Sequence, residues 1–515
     1  MKKNEIYSLE IVDMSINGEG IGKVDGFPLF IKDAIIGDEI RAKVTKVNKS
    51  YGFGRVEEVI NASEYRVEPR CPIARPCGGC QLQEMNYGKQ LEFKERKVYE
   101  HLKRIGGFSE ELLFEVTEPI IGMENPFHYR NKATFPFGRD RDGEMITGFY
   151  AGRTHNIIPN TDCHIGVSVN KEILEIIIDY MRKNKVLPYD EKTGKGILRH
   201  VLLRYGFKTQ EIMVCLTVNS NKKDALRNAG ELIEKLKKVT GMTSIFVNYN
   251  IAKTNVIMGE QCEVLWGERY ITDVLGCGES EGALKESGQN KETYKEIKYQ
   301  ISPLSFYQIN PTQTEKLYSL VLNYGDLKGE EEVWDLYCGI GTISLFLSQK
   351  AKKVIGVEIA PQAIADAREN ARINGIENVE FILGKSEEVY TQYYDKGFWG
   401  EKVTERNICK NTSNYQRDCK EKYPEMVVLD PPRKGCDETL LEAIAKVEPG
   451  KVVYVSCDSA TLARDLKYLC EKGYELRRVR SVDLFPMTVH VETVALLSKL
   501  KSIEPIDVEI EPKRI

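Results

Sequence analysis

Between Val333 and Ser456 short apolar runs alternate with stretches of helical periodicity, and this alternation leaves few folds open. Val333–Tyr337, Val354–Glu358, Val379–Ile382, Met426–Asp430 and Lys451–Ser456 read as strands. A Gly turn and an apolar helix follow the first, and a helix over Pro361–Asn374 follows the second. Strands that alternate with helices build a parallel, doubly wound sheet, whose ligands bind at the carboxyl ends of its strands. Met487–Leu497 reads as a final strand of the same unit.

The chemistry-bearing motifs fall at those strand ends. Asp335-Leu336-Tyr337-Cys338-Gly339-Ile340-Gly341-Thr342 runs from strand through Gly turn into helix, where backbone can approach a ligand closely. Glu358 ends the next strand, 19 residues after Gly339, where a carboxylate can accept from two ribose hydroxyls. The turn lacks Gly-Lys-Ser/Thr, which excludes a P-loop, and lacks a third glycine, which disfavours a dinucleotide. Of the nucleoside cofactors left, S-adenosylmethionine fits best. Asp430-Pro431-Pro432-Arg433 forms a stiff loop after one strand, and Cys457 follows another directly, where a nucleophile would face the crevice. Glu492, set in an apolar stretch, suits a general base with a raised pKa. Taken singly, each has a plain structural alternative: a strand-end turn, an inert thiol, a paired carboxylate.

The first 62 residues differ in kind. Gly turns separate short alternating segments such as Phe27–Ile31 and Ile40–Val44, the pattern of a small β-barrel. Val44–Arg55 interleaves Lys and Arg with Tyr51 and Phe53, a surface that can stack bases and hold phosphates. The whole chain of 515 residues is slightly acidic at −4, yet Arg41–Arg104 holds 14 Lys/Arg against 8 Asp/Glu. That local excess fits contact with RNA. At roughly 150 residues per domain, the length predicts about three domains. No apolar run approaches a membrane span, and the start Met1–Tyr7 shows no secretory pattern, so a cytoplasmic protein is expected.

The 13 cysteines are unevenly spaced. Cys71, Cys77 and Cys80 lie within ten residues around Gly78-Gly79, a tight wrap suited to an iron–sulfur cluster or zinc. Cys163 is the best candidate for a fourth ligand. Leu91–Ile105 and Ala225–Lys238 read as helices, and Arg199–Arg204 with Ile212–Val218 as neighbouring strands. A polar stretch over 390–425 with Cys409 and Cys419 reads as a surface insertion without assigned chemistry.

Together the motifs resemble the RNA 5-methyluridine methyltransferases, most closely the iron–sulfur enzymes of 23S ribosomal RNA. The resemblance implies an α/β chain in three parts. These are a TRAM barrel at 1–62, a central α+β iron–sulfur domain at 63–300, and a Rossmann-like methyltransferase domain at 301–515. It implies Cys457 as nucleophile and Glu492 as general base, and a [4Fe–4S] cluster on Cys71, Cys77, Cys80 and Cys163. Phe306-Tyr307-Gln308-Ile309-Asn310 matches a Phe-x-Gln-x-Asn segment, giving Gln308, Tyr337, Thr342, Glu358 and Asp430 to S-adenosylmethionine. Ser459 stands where the family often has proline, and Thr342 where some members have asparagine. The implied partner is 23S rRNA, with no membrane and no obligate protein partner, and a monomer is expected. Alternatives are a tRNA uracil-5 methyltransferase and a non-catalytic RNA-binding iron–sulfur protein. A cytosine-5 enzyme would need a Pro-Cys at a strand end, and a radical methylthiotransferase a Cys-x3-Cys-x2-Cys triad; neither occurs.

Overall fold

The computed structural model describes residues 1–152, 154–222, 225–276, 295–395 and 424–500. Cys409, Cys419 and most of the predicted insertion lie outside the described residues.

The N-terminal strands Ile6–Glu10, Asp13–Met14, Gly20–Val24, Phe27–Lys32, Glu39–Val47 and Gly52–Asn61 form one sheet. Alternate residues point inward, so Leu9, Leu29, Ile31, Ile40, Ala42 and Val44 make a small core. The sheet curls until Val12 N donates to Ile21 O at 2.9 Å. Gly22 permits this approach, because a Cβ there would collide with Leu9 and the Glu10 carbonyl. The buried Asp38 accepts from Arg66 at 2.6 Å and ties the following linker to the sheet.

The central sheet has seven strands, Ile157–Pro159, Met145–Tyr150, Lys132–Arg139, Leu198–Tyr205, Ile212–Val218, Met242–Tyr249 and Gln261–Gly267, in that spatial order. Helices Val169–Asn184 and Ala229–Leu236 cover one face. Leu198–Tyr205 and Ile212–Val218, which read as neighbouring strands, pair antiparallel. The cysteine loop docks on the sheet end, where Gly78 N donates to Tyr150 O at 3.2 Å. Only glycine fits there, since a Cβ would lie 2.9 Å from that carbonyl.

The C-terminal sheet contains β1 (Glu332–Leu336), β2 (Lys353–Glu358), β3 (Val379–Leu383), β4 (Met426–Leu429), β5 (Lys451–Ser456), β6 (Tyr474–Val482) and β7 (Glu492–Lys499). Their order is β3-β2-β1-β4-β5-β7-β6, with β1 to β5 parallel and β7 antiparallel. Both faces are covered, so the parallel strands are mostly apolar. Val333, Val354 and Val428 enter one core; Trp334, Ile355 and Val427 enter the other.

Three details depart from the sequence reading. The final strand begins at Glu492, and Met487–Val491 is a loop in which Met487 takes a φ of 69°. β6 escapes a period-based reading because Arg477, Arg478 and Arg480 interrupt its apolar residues. The segment 87–121 falls within the 63–300 bounds of the central domain, but it joins the C-terminal unit, as the resemblance implies for its helix near 91–105, and Thr117–Ile121 pairs parallel with β6. It covers what would be an open edge of hydrogen-bonding groups. The helix of this segment starts at Tyr87, with Asn86 accepting from Lys89 N at 2.9 Å. It ends in a π-helical turn, Leu102–Gly106, and packs on helix Ser459–Glu471.

Candidate active site

The strand order reverses between β1 and β4, and a cavity of about 790 Å3 opens at the carboxyl ends of the parallel strands. Gln308, Tyr337, Thr342, Glu358, Asp430, Cys457 and Glu492 all line it. Positions spread over 185 residues of sequence thus meet in one space. Phe306, the first residue of the Phe-x-Gln-x-Asn segment, lines it too, as do Arg433 and His490, to which the sequence reading gives no role. Arg433 sits beside the noted Asp-Pro-Pro motif, which was the available signal.

The Gly turn shapes one wall. Tyr337, Gly339 and Gly341 take φ of 78°, 56° and 81°, which turns β1 sharply into helix Thr342–Leu347. A Cβ at Gly339 would meet nothing within 4 Å, so the peptide borders open space. Glu358 accepts from Gly339 N at 3.2 Å and from Ala360 N at 2.9 Å. Thr342 Oγ1 is held by the Tyr318 hydroxyl at 3.0 Å. These residues fit a nucleoside: a carboxylate at a strand end and open backbone at a Gly turn.

The other wall is acidic and poorly solvated. Asp335 accepts from Ser344 Oγ at 2.5 Å, while its second oxygen has no partner among the described residues. Burial pushes Asp335 up to about 7. Burial and the Asp335 charge push Asp430 up to about 7. Glu492 is 3% exposed, one of its oxygens has no described partner, and burial followed by Asp430 drives its pKa far up. Arg433 opposes that rise.

Cys457 stands at the end of β5. The registers Ser456↔Thr493 and Val482↔Glu492 place Glu492 at the adjoining start of β7. Burial, Glu492 and Asp430 push the Cys457 thiol up to about 11, against the charge and hydrogen bond of Arg433. Asp458 is committed elsewhere: its carboxylate caps helix Ser459–Glu471 by accepting from Ala460 N and Thr461 N at 3.0 and 3.1 Å. The cap fixes the turn that aims Cys457 and leaves the helix's positive end nearby. Ser459 is buried and hydrogen-bonds His101 Nδ1 at 2.8 Å, which anchors this loop without proline.

Cys71, Cys77, Cys80 and Cys163 line a second cavity, of about 290 Å3. Burial pushes Cys80 up to about 12 and raises Cys71 and Cys163. Among the described residues no three Cys, His, Asp or Glu form a group that could hold a metal ion. The four thiols share a space without making a finished nest. Arg130 and Ile309 line both cavities and form the wall between them.

This fold and site define a class, a Rossmann-like domain with a thiol and a buried acid at its switch point, joined to a small N-terminal β-sheet. Comparison with known proteins makes the assignment particular. A sequence model described as tRNA (Uracil-5-)-methyltransferase matches residues 287–500, and one for the TRAM domain matches residues 2–56. A Clostridium tetani protein named as an uncharacterized RNA methyltransferase is 45% identical over 499 residues, 97% of each chain. A similarly named protein of Halalkalibacterium halodurans is 44% identical, covering 96% of this chain and 98% of its own. The crystal structure of Pyrococcus abyssi tRNA (uracil-54, C5)-methyltransferase with S-adenosyl-L-homocysteine superposes with a TM-score of 0.67 at 25% identity. That match covers 95% of this chain and 100% of that one. The chain belongs to the RNA 5-methyluridine methyltransferase family. No described helix is long and apolar enough to cross a membrane.

Proposed function

We propose that the chain transfers a methyl group from S-adenosylmethionine to C5 of a uridine in 23S ribosomal RNA, in the cytoplasm, through a covalent adduct on Cys457. The observation that carries this reading is the meeting of Cys457 and Glu492, from adjoining strand ends, in the cavity that the Gly turn and Glu358 also line. Gln308, Tyr337, Thr342, Glu358 and Asp430 would hold the cofactor, whose sulfonium supplies an electrophilic methyl group.

C5 of uracil is a weak nucleophile. Addition of the Cys457 thiolate to C6 forms an S–C bond and pushes electron density to an enolate with nucleophilic character at C5. After methyl transfer, Glu492 takes the C5 proton, and the electron pair of that C–H bond expels the thiolate. Arg433 is placed to favour the thiolate before attack and the carboxylate before proton removal. The target base must leave its stack to reach this depth.

The four-cysteine cavity fits a [4Fe–4S] cluster by its donor set: four soft thiols from two distant segments. Cys71, Cys77, Cys80 and Cys163 would hold the cluster, which would cross-link the loop to the central sheet. Ribosomal RNA as the substrate rests on the resemblance of the motif set to the iron–sulfur enzymes of 23S rRNA. A second reading, transfer RNA, is favoured by the Pyrococcus structure, whose named substrate is tRNA and which matches the chain almost throughout.

Incubation with S-adenosylmethionine and unmodified 23S rRNA or tRNA, followed by nucleoside mass spectrometry, tests the proposal. The expected product is 5-methyluridine in rRNA alone, lost in Cys457→Ala while RNA binding survives. Product in tRNA alone replaces the substrate assignment. Wild-type protein that methylates neither RNA overturns the reaction.

A further inference from the structure

The residues 302–310 connect strand Ile297–Ile301 to helix Pro311–Gly325 without regular structure of their own. They carry Phe306 and Gln308 to the cavity wall. A segment that lacks ladder hydrogen bonds needs other partners for its carbonyls. Two side chains of the central sheet supply them. Arg204, on strand Leu198–Tyr205, donates through Nη2 to the carbonyls of Pro303, at 3.3 Å, and Ser305. Asn131 precedes the neighbouring strand Lys132–Arg139, and its Nδ2 donates to Gln308 O at 2.8 Å. Its backbone N–H donates to Ile309 O at 2.9 Å. The two anchors are themselves joined, because Tyr205 N donates to Asn131 O at 2.9 Å.

Both side chains are held at a cost. Arg204 and Asn131 are each 3% exposed. Among the described residues Arg204 Nε and Asn131 Oδ1 have no hydrogen-bond partner, and Arg204 makes no described salt bridge. A buried guanidinium without a carboxylate is expensive, and a packed apolar residue would serve the core better. Their polar atoms are spent on one purpose, the carbonyls of this segment.

We infer that Arg204 and Asn131 are positioning residues, a clamp by which the central sheet sets the reach of Phe306 and Gln308 toward the cofactor. This rests on the cofactor site proposed above. The clamp fixes peptide carbonyls and touches no reacting atom. Its loss therefore weakens cofactor binding more than it slows the chemical step. Asn131→Asp removes the donor and sets a carboxylate against Gln308 O. Arg204→Lys keeps the charge but loses the planar fork.

The test combines two measurements on the full chain. The first is the Kd for S-adenosylhomocysteine, with KM and kcat for S-adenosylmethionine where turnover is seen. Both variants are expected to raise Kd and KM about tenfold, with kcat within about threefold of wild type. The second needs no cofactor: hydrogen exchange of peptides covering 303–309 is expected to quicken in both variants, while helix Pro311–Gly325 keeps its protection. Wild-type exchange and Kd in folded variants overturn the clamp. Equally faster exchange in the segment and the helix overturns it too, because that marks general loosening. Failure of the wild type to bind S-adenosylhomocysteine counts against the cofactor reading, and the exchange data then judge the clamp alone.

Discussion

At Cys457 burial and charge oppose the state that chemistry needs. Burial and two neighbouring carboxyls push the thiol up to about 11, and Arg433 is the opposing cation. Below that pKa the thiolate fraction grows tenfold per pH unit, because the raised pKa leaves the group protonated at neutrality. Alkylation of Cys457 by iodoacetamide, followed by peptide mass spectrometry, is expected to quicken about tenfold per unit between pH 7 and 10. Arg433→Met is expected to push the thiol higher still and slow labelling about threefold to tenfold at each pH. A flat pH profile would contradict this account. The residue types of the site were legible in sequence, since a thiol, an acid and a Gly turn stand at strand ends. Arg433 and His490 were not, because only the fold shows which loop side chains face the cavity.

Among the elements, the loop between β6 and β7 is held by a partner far away in sequence. It leads into Glu492 and is held from the distant helix Tyr87–His101. Lys94 of that helix pairs with Asp483 at 2.6 Å with both side chains fully buried, and Lys94 also donates to Phe485 O at 3.0 Å. Tyr87 donates to the second Asp483 oxygen at 2.9 Å. Removing one partner of a buried pair leaves an uncompensated charge at a cost of about 3–5 kcal/mol. Lys94→Met is expected to lower unfolding free energy by that order in urea titration, and Lys94→Met/Asp483→Leu to recover part of it. The alternating strands and helices of the C-terminal half read well from period alone. β7 did not, because the apolar residues Met487, Val489 and Val491 continue its alternation into a loop whose bend only the Met487 backbone reveals.

On the scale of the molecule, two cavities share a wall. Arg130 and Ile309 border both the four thiols and the proposed catalytic space. If the thiols hold a cluster, anaerobically purified protein should carry about four iron and four sulfide per chain. Cys163→Ser should lose most of both. Full iron in that variant would remove Cys163 from the ligand set. The family, its cofactor chemistry and the N-terminal sheet were legible because several short motifs occur in order. The resemblance implies that the helix near 91–105 packs on the catalytic unit, but the pairing of Thr117–Ile121 with β6 was not legible, since pairing across such a distance leaves no local pattern.

That edge strand also bears on how the protein is made. Glu118 meets Arg478 across 360 residues of chain. At about 5–20 residues per second of synthesis, roughly 20–70 s pass between the emergence of the two from the ribosome. Through that interval Thr117–Ile121 and the apolar face of the preceding helix have no sheet to join. The nascent chain must carry them exposed, which makes this stretch a natural client for chaperones and the step most sensitive to a stall late in translation.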